Sequence, residues 1–293
     1  MLLRVKQQIS EDNVSLTASG VAYGWLLAIF PLFGSLIAIY GLIADPVDVQ
    51  HQLEGLFGLL SPEVVNTLHD QLTKLTLKSG TALGFGALFG ILFSLWSANS
   101  GTKAMIMALN IVYAEREKRS FFRLNLVSLT LTIGMVLSVI IALLLMIALP
   151  VAFRIVGMEE STKTALNVLR WPALAIAFMF GLAVLFRYAP SREKPKWRWV
   201  SWGSVLATML WVIASGAFAI YVANFGNYDQ TYGSLGAVII LMLWFYITAF
   251  IILLGAELNA ELEHQTAKDS TTHAPMPMGQ RGAHMADTIG KAR

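Results

Sequence analysis

Five histidines, His51, His69, His264, His273 and His284, are the only imidazoles in a chain of 293 residues. Metal-assisted hydrolysis needs His or carboxylates grouped at ligand spacing, or an activated acid/base pair. No two of these histidines stand at such spacing within an apolar run, and three lie at or beyond position 264. No phosphate-binding Gly-rich loop, Gly-x-Ser-x-Gly elbow or His-Glu-x-x-His helix occurs. There is no cysteine, so thiolate catalysis and thiolate metal sites are excluded. The expectation is a chain without a catalytic residue, a metal or a cofactor. The polar groups that remain are mostly uncharged: Tyr23, Ser94, Asn99, Asn110, Thr208, Ser215, Asn224 and Tyr246. Each suits a hydrogen bond between helices better than a ligand contact.

The elements that carry these groups are apolar. Hydrophobic residues make up 56% of the chain, charged residues 13%, and the mean hydropathy is +0.63. Soluble domains carry about 25% charge. A chain so poor in charge cannot cover itself with a hydrated surface, and a membrane protein follows. Uncharged runs of about 20 residues span a bilayer core. Six occur, predicting spans over about 21–44, 79–102, 124–153, 171–187, 199–223 and 233–256. The fold class is therefore all-α: a polytopic bundle of six transmembrane helices forming a domain over 1–264. The fourth span is short between Arg170 and Arg187, whose long side chains can snorkel. Pro31 falls inside the first span and predicts a kink or hinge. Gly84 and Gly86 in the second span, and Gly203 with Ala207 in the fifth, predict close helix approach.

Charge sets the expected orientation. Sixteen of the 21 Lys and Arg residues fall in 1–20, 103–123, 187–198 and 257–293. Positive loops face the cytoplasm, which predicts both termini there and localisation in the bacterial inner membrane. The basic balance then matches anionic lipid headgroups, so membrane lipids are the expected partners and nucleic acid is not. An envelope protein partner is the alternative, and oligomeric state is not readable.

Between the spans, 45–78 shows apolar residues at helical spacing on both sides of Ser61-Pro62, predicting an outer segment of two amphipathic helices. The cluster Glu115 to Arg119 reads as a solvated anchor strip, with Phe121 and Phe122 at the interface. "RYAPSREKPKWRW" reads as a stiff connector. Residues 265–293 lack periodicity and are expected to form a disordered cytoplasmic tail whose removal leaves folding intact.

Three stretches resemble the YihY/BrkB family, formerly labelled ribonuclease BN: "ASGVAYGWLLAIFPLF" (18–33), "WSANSGTKAMIMALNIVYAEREKRSFF" (96–122) and "YGSLGAVIILMLWFYITAFIILLGAELNAE" (232–261). The resemblance spans about 10–262. It departs at Trp202-Gly203-Ser204, where the family usually has Pro-Gly-Ala. It implies a six-span bacterial inner-membrane protein, some of whose relatives are linked to movement of lipid or other substrates. The function expected is transport or translocation of a lipid-like or amphiphilic substrate. The alternatives are a scaffold binding an envelope partner through its outer helices and, less favoured, a membrane-bound ribonuclease.

The candidate functional or structural residues are Tyr23, Pro31, Asn99, Asn110, Arg119, Tyr232, Gly233, Gly236, Glu257 and Asn259. Tyr232, Gly233 and Gly236 suit a tight interfacial entry to the last span. Glu257 is expected to clasp the basic 103–123 cluster, with Arg119 as partner and Asn110 or Asn259 bridging.

Overall fold

The computed structural model describes residues 2–43, 80–155, 160–225 and 235–290. The expected amphipathic segment 45–78, Tyr232 and Gly233 lie outside the described residues. Among those described, every regular element is a helix. α1 covers Leu2–Glu11, α2 Val14–Ile43, α3 Gly80–Val112, α4 Phe121–Ile155, α5 Glu160–Tyr188, α6 Trp197–Phe225, α7 Leu235–His264 and α8 His284–Asp287.

Six of these, α2 to α7, fall on the six uncharged runs. Helix is what such a run must adopt in lipid, where each backbone N–H and C=O has to be satisfied within the segment. Their lengths are 29 to 35 residues, which at about 1.5 Å per residue exceeds the bilayer core. The fourth is not short: α5 has 29 residues and carries both Arg170 and Pro172 inside it. α2 runs through Pro31 as one assigned helix. Segments Phe121–Ala142, Val168–Tyr188, Trp197–Asn224 and Gly236–His264 are each long and apolar enough to cross a membrane, and Val14–Ile29 is a shorter apolar helix. Within those four segments only 11% to 22% of the most apolar window is buried. Apolar faces left open on that scale would aggregate a soluble bundle and suit one solvated by lipid.

The chain forms two compact units, one of residues 1–24 with 102–293 and one of residues 25–101. In the first, α7 packs most extensively on α6, α6 on α5 and α5 on α4, while α1 and α8 lie against α7. The α6–α7 contact is backbone to backbone. A Cβ placed on Gly203 would lie 2.0 Å from the Gly255 carbonyl oxygen, and one on Gly255 would lie 2.6 Å from that of Gly203. Small residues permit this approach in lipid, where packing and hydrogen bonds hold helices together. The close contact expected of Gly203 and Ala207 is present, since Ala207 Cβ also faces Gly255. The same contact sits at the Trp202-Gly203-Ser204 departure, so the central glycine keeps its packing role there.

Residues 265–290 are not disordered. Ser270, Thr271, Arg281, Ala283, Met285 and Ala286 are buried. The Lys196 amide donates to Ser270 O (2.8 Å), that of Thr272 to Lys194 O (3.1 Å), and that of Glu193 to Gly282 O (3.1 Å). Arg281 donates to the carbonyls of Met276, Ala286 and Ala267. Asp269 takes bonds from the Thr271 and Met276 amides and the Thr271 hydroxyl. Low apolar content misled the expectation because this segment is held by hydrogen bonds to the 187–196 loop, which hydropathy does not register.

Candidate functional site

The charged end of the first unit gathers the close of α3, the loop 187–196, the end of α7 and the segment 265–290. α3 ends at Val112, and Ala114 just beyond it has a left-handed φ of 50°; the Glu115 amide returns to Asn110 O (2.8 Å). This turn throws Glu115 and Glu117 back over the bundle. Asn110 is buried and ties two segments: its Oδ1 accepts from the Ser191 amide (2.7 Å) and its Nδ2 donates to Glu117 Oε2 (3.1 Å). Arg119 grips Glu117 through Nε and Nη2, each at 2.7 Å, and Nη2 also donates to Ala189 O (2.8 Å). Partial burial would raise the Glu117 carboxyl, but the Arg119 bonds outweigh it and, with Asn110, hold it at about 2.

The expected anchor strip is thus a built corner. Glu115 is buried, binds Lys118 Nζ at 2.8 Å and accepts from the His284 amide at 2.7 Å. The strip's sequence shows charge but not that the loop and the tail would close on it. Phe121 and Phe122 are exposed, as interfacial anchors should be.

Deeper in, Arg192 Nη2 donates to both oxygens of Glu263 at 2.7 Å, and their side chains are only 1% and 2% exposed. The guanidinium lies 4.8 Å from the Tyr113 ring centroid, a cation–π contact. The Ser270 hydroxyl adds a bond to Glu263. Burial drives the Tyr113 hydroxyl pKa upward, against the pull of Arg192. Sequence reasoning missed Tyr113, Arg192 and Glu263. Their one signal was an Arg-Glu-Lys connector and a Glu that both fall on the basic side of the bundle.

Asn259 is buried, accepts from the Gly203 amide (2.7 Å) and donates to Val200 O (3.3 Å). It clamps α7 to α6 one turn from the Gly203–Gly255 contact and does not bridge Glu257 to the 103–123 cluster. Glu257 is fully buried, but it does not clasp Arg119, which is committed to Glu117 and Ala189. Its carboxyl instead meets Asp12, in the turn between α1 and α2. The helical register explains the miss: α7 turns Glu257 toward α1, while Arg119 follows the left-handed turn toward the loop. Of the other expected residues, Tyr23 is exposed, Gly236 and Asn99 are buried, and Asn99 Oδ1 has no hydrogen-bond partner among the described residues.

Along α6 and α7 a second feature opens. Ala214, Ala217, Phe218 and Tyr221 face Leu243 and Ile247 across a cavity of 320 Å³. Beside it Phe178, Trp211, Trp244 and Phe218 follow one another at ring-centroid separations of 4.6 to 5.8 Å. Trp211 Nε1 donates to Thr248 Oγ1 (3.3 Å). The two alanines leave room where aromatic neighbours form the wall.

These features define a polytopic helical membrane protein with an apolar groove between α6 and α7 and a charged end held by ion pairs. A family model described as "Virulence factor BrkB" matches residues 5–279, and the chain belongs to that family. It is 34% identical over 252 residues to a protein of Bacillus subtilis (strain 168) named "Putative ribonuclease-like protein YfkH", covering 83% of this chain and 87% of that one. Over 275 residues it is 24% identical to a UPF0761 membrane protein of Alteromonas mediterranea, covering 92% and 90% of the two chains. A UPF0761 membrane protein of Vibrio parahaemolyticus is 27% identical over 262 residues, with 88% and 81% covered. No solved structure matches the chain.

Proposed function

We propose that this protein lies in the bacterial inner membrane, with both termini in the cytoplasm, and moves a lipid-like or amphiphilic substrate. The observation that carries the reading is the groove between α6 and α7. It is lined by Ala214, Ala217, Phe218, Tyr221, Leu243 and Ile247, on helices long and apolar enough to cross a bilayer. A cavity of 320 Å³ is at the lower end of small-ligand pockets, which run from about 300 to 1,000 Å³, and it accepts part of an acyl chain rather than a whole lipid. Its lining offers no charge to a polar solute. The exposed Arg116, Arg123 and Arg198 at the charged end are suited to an anionic headgroup. This reading takes the protein as a carrier rather than an enzyme; the ribonuclease-like wording belongs to the Bacillus relative.

The test uses the full chain in vesicles containing a trace of fluorescently tagged phospholipid, with a membrane-impermeant quencher reading transfer between leaflets. Protein vesicles should lose the protected fraction faster than empty ones, and Ala217→Trp, which fills the groove, should slow the loss. Equal rates in empty and protein vesicles would overturn the reading. A reporter joined after residue 290 should respond only to cytoplasmic reagents.

A further inference from the structure

We propose that Asp12 and Glu257 form a proton-binding carboxyl pair, a site whose ligand is one proton shared between the two side chains. Glu257 has no exposed surface, and neither of its carboxyl oxygens has a hydrogen-bond partner among the described groups. The Asp12 carboxyl is nevertheless within side-chain bonding reach of it. Two ionised carboxylates are acceptors only and cannot bond one another; the contact closes when one carries a proton. Like charges sharing a site cannot both persist.

The turn that delivers Asp12 is well defined. Asn13 takes a left-handed φ of 49°, a conformation Asn tolerates better than most residues. The Asp12 amide bonds Gln8 O (2.8 Å), its carbonyl accepts from Thr17 Oγ1 (3.4 Å), and its Oδ2 accepts from Gln8 Nε2 (3.4 Å). α1 packs on α7, which brings Asp12 to the buried carboxyl. Burial, and more weakly Glu11, holds Asp12 above its ordinary carboxylate value, against the pull of its bonds to Glu257 and Gln8.

Among the described residues no ion pair joins a cation to Asp12 or Glu257, with Arg4 and Lys6 the cations of α1. Glu261, one turn further along α7, and Tyr113, at the end of α3, are the other titratable groups facing Glu257. Three cations of this end are engaged elsewhere: Arg192 by Glu263, Arg119 by Glu117 and Lys118 by Glu115. A metal ion is the less suited ligand, because no group of three or more His, Asp or Glu able to hold one occurs among the described residues. The proposal stands whether or not the groove takes a lipid.

The sign of the consequence follows from linkage. The folded pair holds a proton that solvated carboxyls release at about pH 4. Stability from the pair is therefore full in acid and falls as pH rises through neutrality, because the native state binds more protons than the unfolded one. The full chain in nanodiscs is examined by infrared spectroscopy, reading the C=O stretch of protonated carboxyls at neutral pH, and by unfolding across pH. Wild type should show such a band. It should vanish in Glu257→Gln and shift in Asp12→Asn. The unfolding constant of wild type should rise by up to about tenfold per pH unit above neutrality, a slope absent in Glu257→Gln. No protonated-carboxyl band in wild type, or an equal slope in the variant, overturns the proposal. So does stabilisation by sodium, potassium or calcium chloride that Glu257→Gln abolishes, since the ligand would then be a metal cation. Should Glu257→Gln fail to fold, an unshifted band in Asp12→Asn overturns it equally.

Discussion

Glu263→Gln tests the charged end most directly. The substitution removes the charge opposite Arg192, whose side chain is only 1% exposed and whose Nη1 already lacks a partner among the described residues. Breaking one member of a buried pair costs about 3–5 kcal/mol, because the other charge stays buried without compensation. The Tyr113 ring offsets little of this: a desolvated cation–π contact contributes about 2 kcal/mol and is already present in the wild type. Arg192→Gln leaves Glu263 with the Ser270 hydroxyl and should cost a comparable amount. With both changed, neither charge is stranded, and the loss should fall short of the sum by about 0.5–3 kcal/mol. Equilibrium unfolding in mixed micelles, across the two single variants and the double, reads this coupling. Additivity within about 0.5 kcal/mol would refute the reasoning and show that the pair is not an energetic unit. Arg119→Gln with Glu257→Gln is the control cycle. Their side chains engage different partners, Glu117 for one and Asp12 for the other, so their effects should add.

Gly203→Ala should loosen α6 from α7: its methyl would lie 2.0 Å from the Gly255 oxygen and 2.5 Å from Asn259 Nδ2. Overpacking of this kind costs about 1–3 kcal/mol, seen as a lower melting temperature in detergent, whereas Gly216→Ala, with open space around it, should be nearly silent. Removing residues 270–293 should lower the melting temperature, since it strips Glu263 of Ser270 and exposes the 187–196 loop; an unchanged melting curve would show the segment to be dispensable. On the acid side, Glu117 and Asp269 are both lowered to about 2. For Asp269, burial raises the carboxyl, but the bonds from the Met276 amide and from the Thr271 hydroxyl and amide together outweigh it, with Arg281 adding to them. Their stabilisation is complete above their ordinary values of 4.5 and 3.8 and is lost as pH falls through about 2. Glu117→Gln and Asp269→Asn should each flatten the fall in melting temperature measured below pH 4.

The sequence by itself determined that the chain is an all-helical membrane protein and roughly where its long helices run. Uncharged runs leave helix as the solution in lipid, whatever surrounds them. It also located the small-residue contact at Gly203 and Ala207, because four-residue spacing along one helix face is a local fact; Asn259, expected as a bridge to the 103–123 cluster, instead clamps α6. Only tertiary structure decided which charges meet. Glu257 and Arg119 lie on the same side of the bundle, which charge counting can see. A left-handed turn at Ala114 and another at Asn13 then send Arg119 to Glu117 and Asp12 to Glu257. A single residue's φ is too small a signal for a composition window to register. The ordered segment 265–290 escaped notice for a related reason: its bonds go to Lys194, Lys196 and Glu193, 74 to 89 residues earlier in the chain. Hydropathy measures what a segment can bury by itself, and this one is held by what another segment offers it.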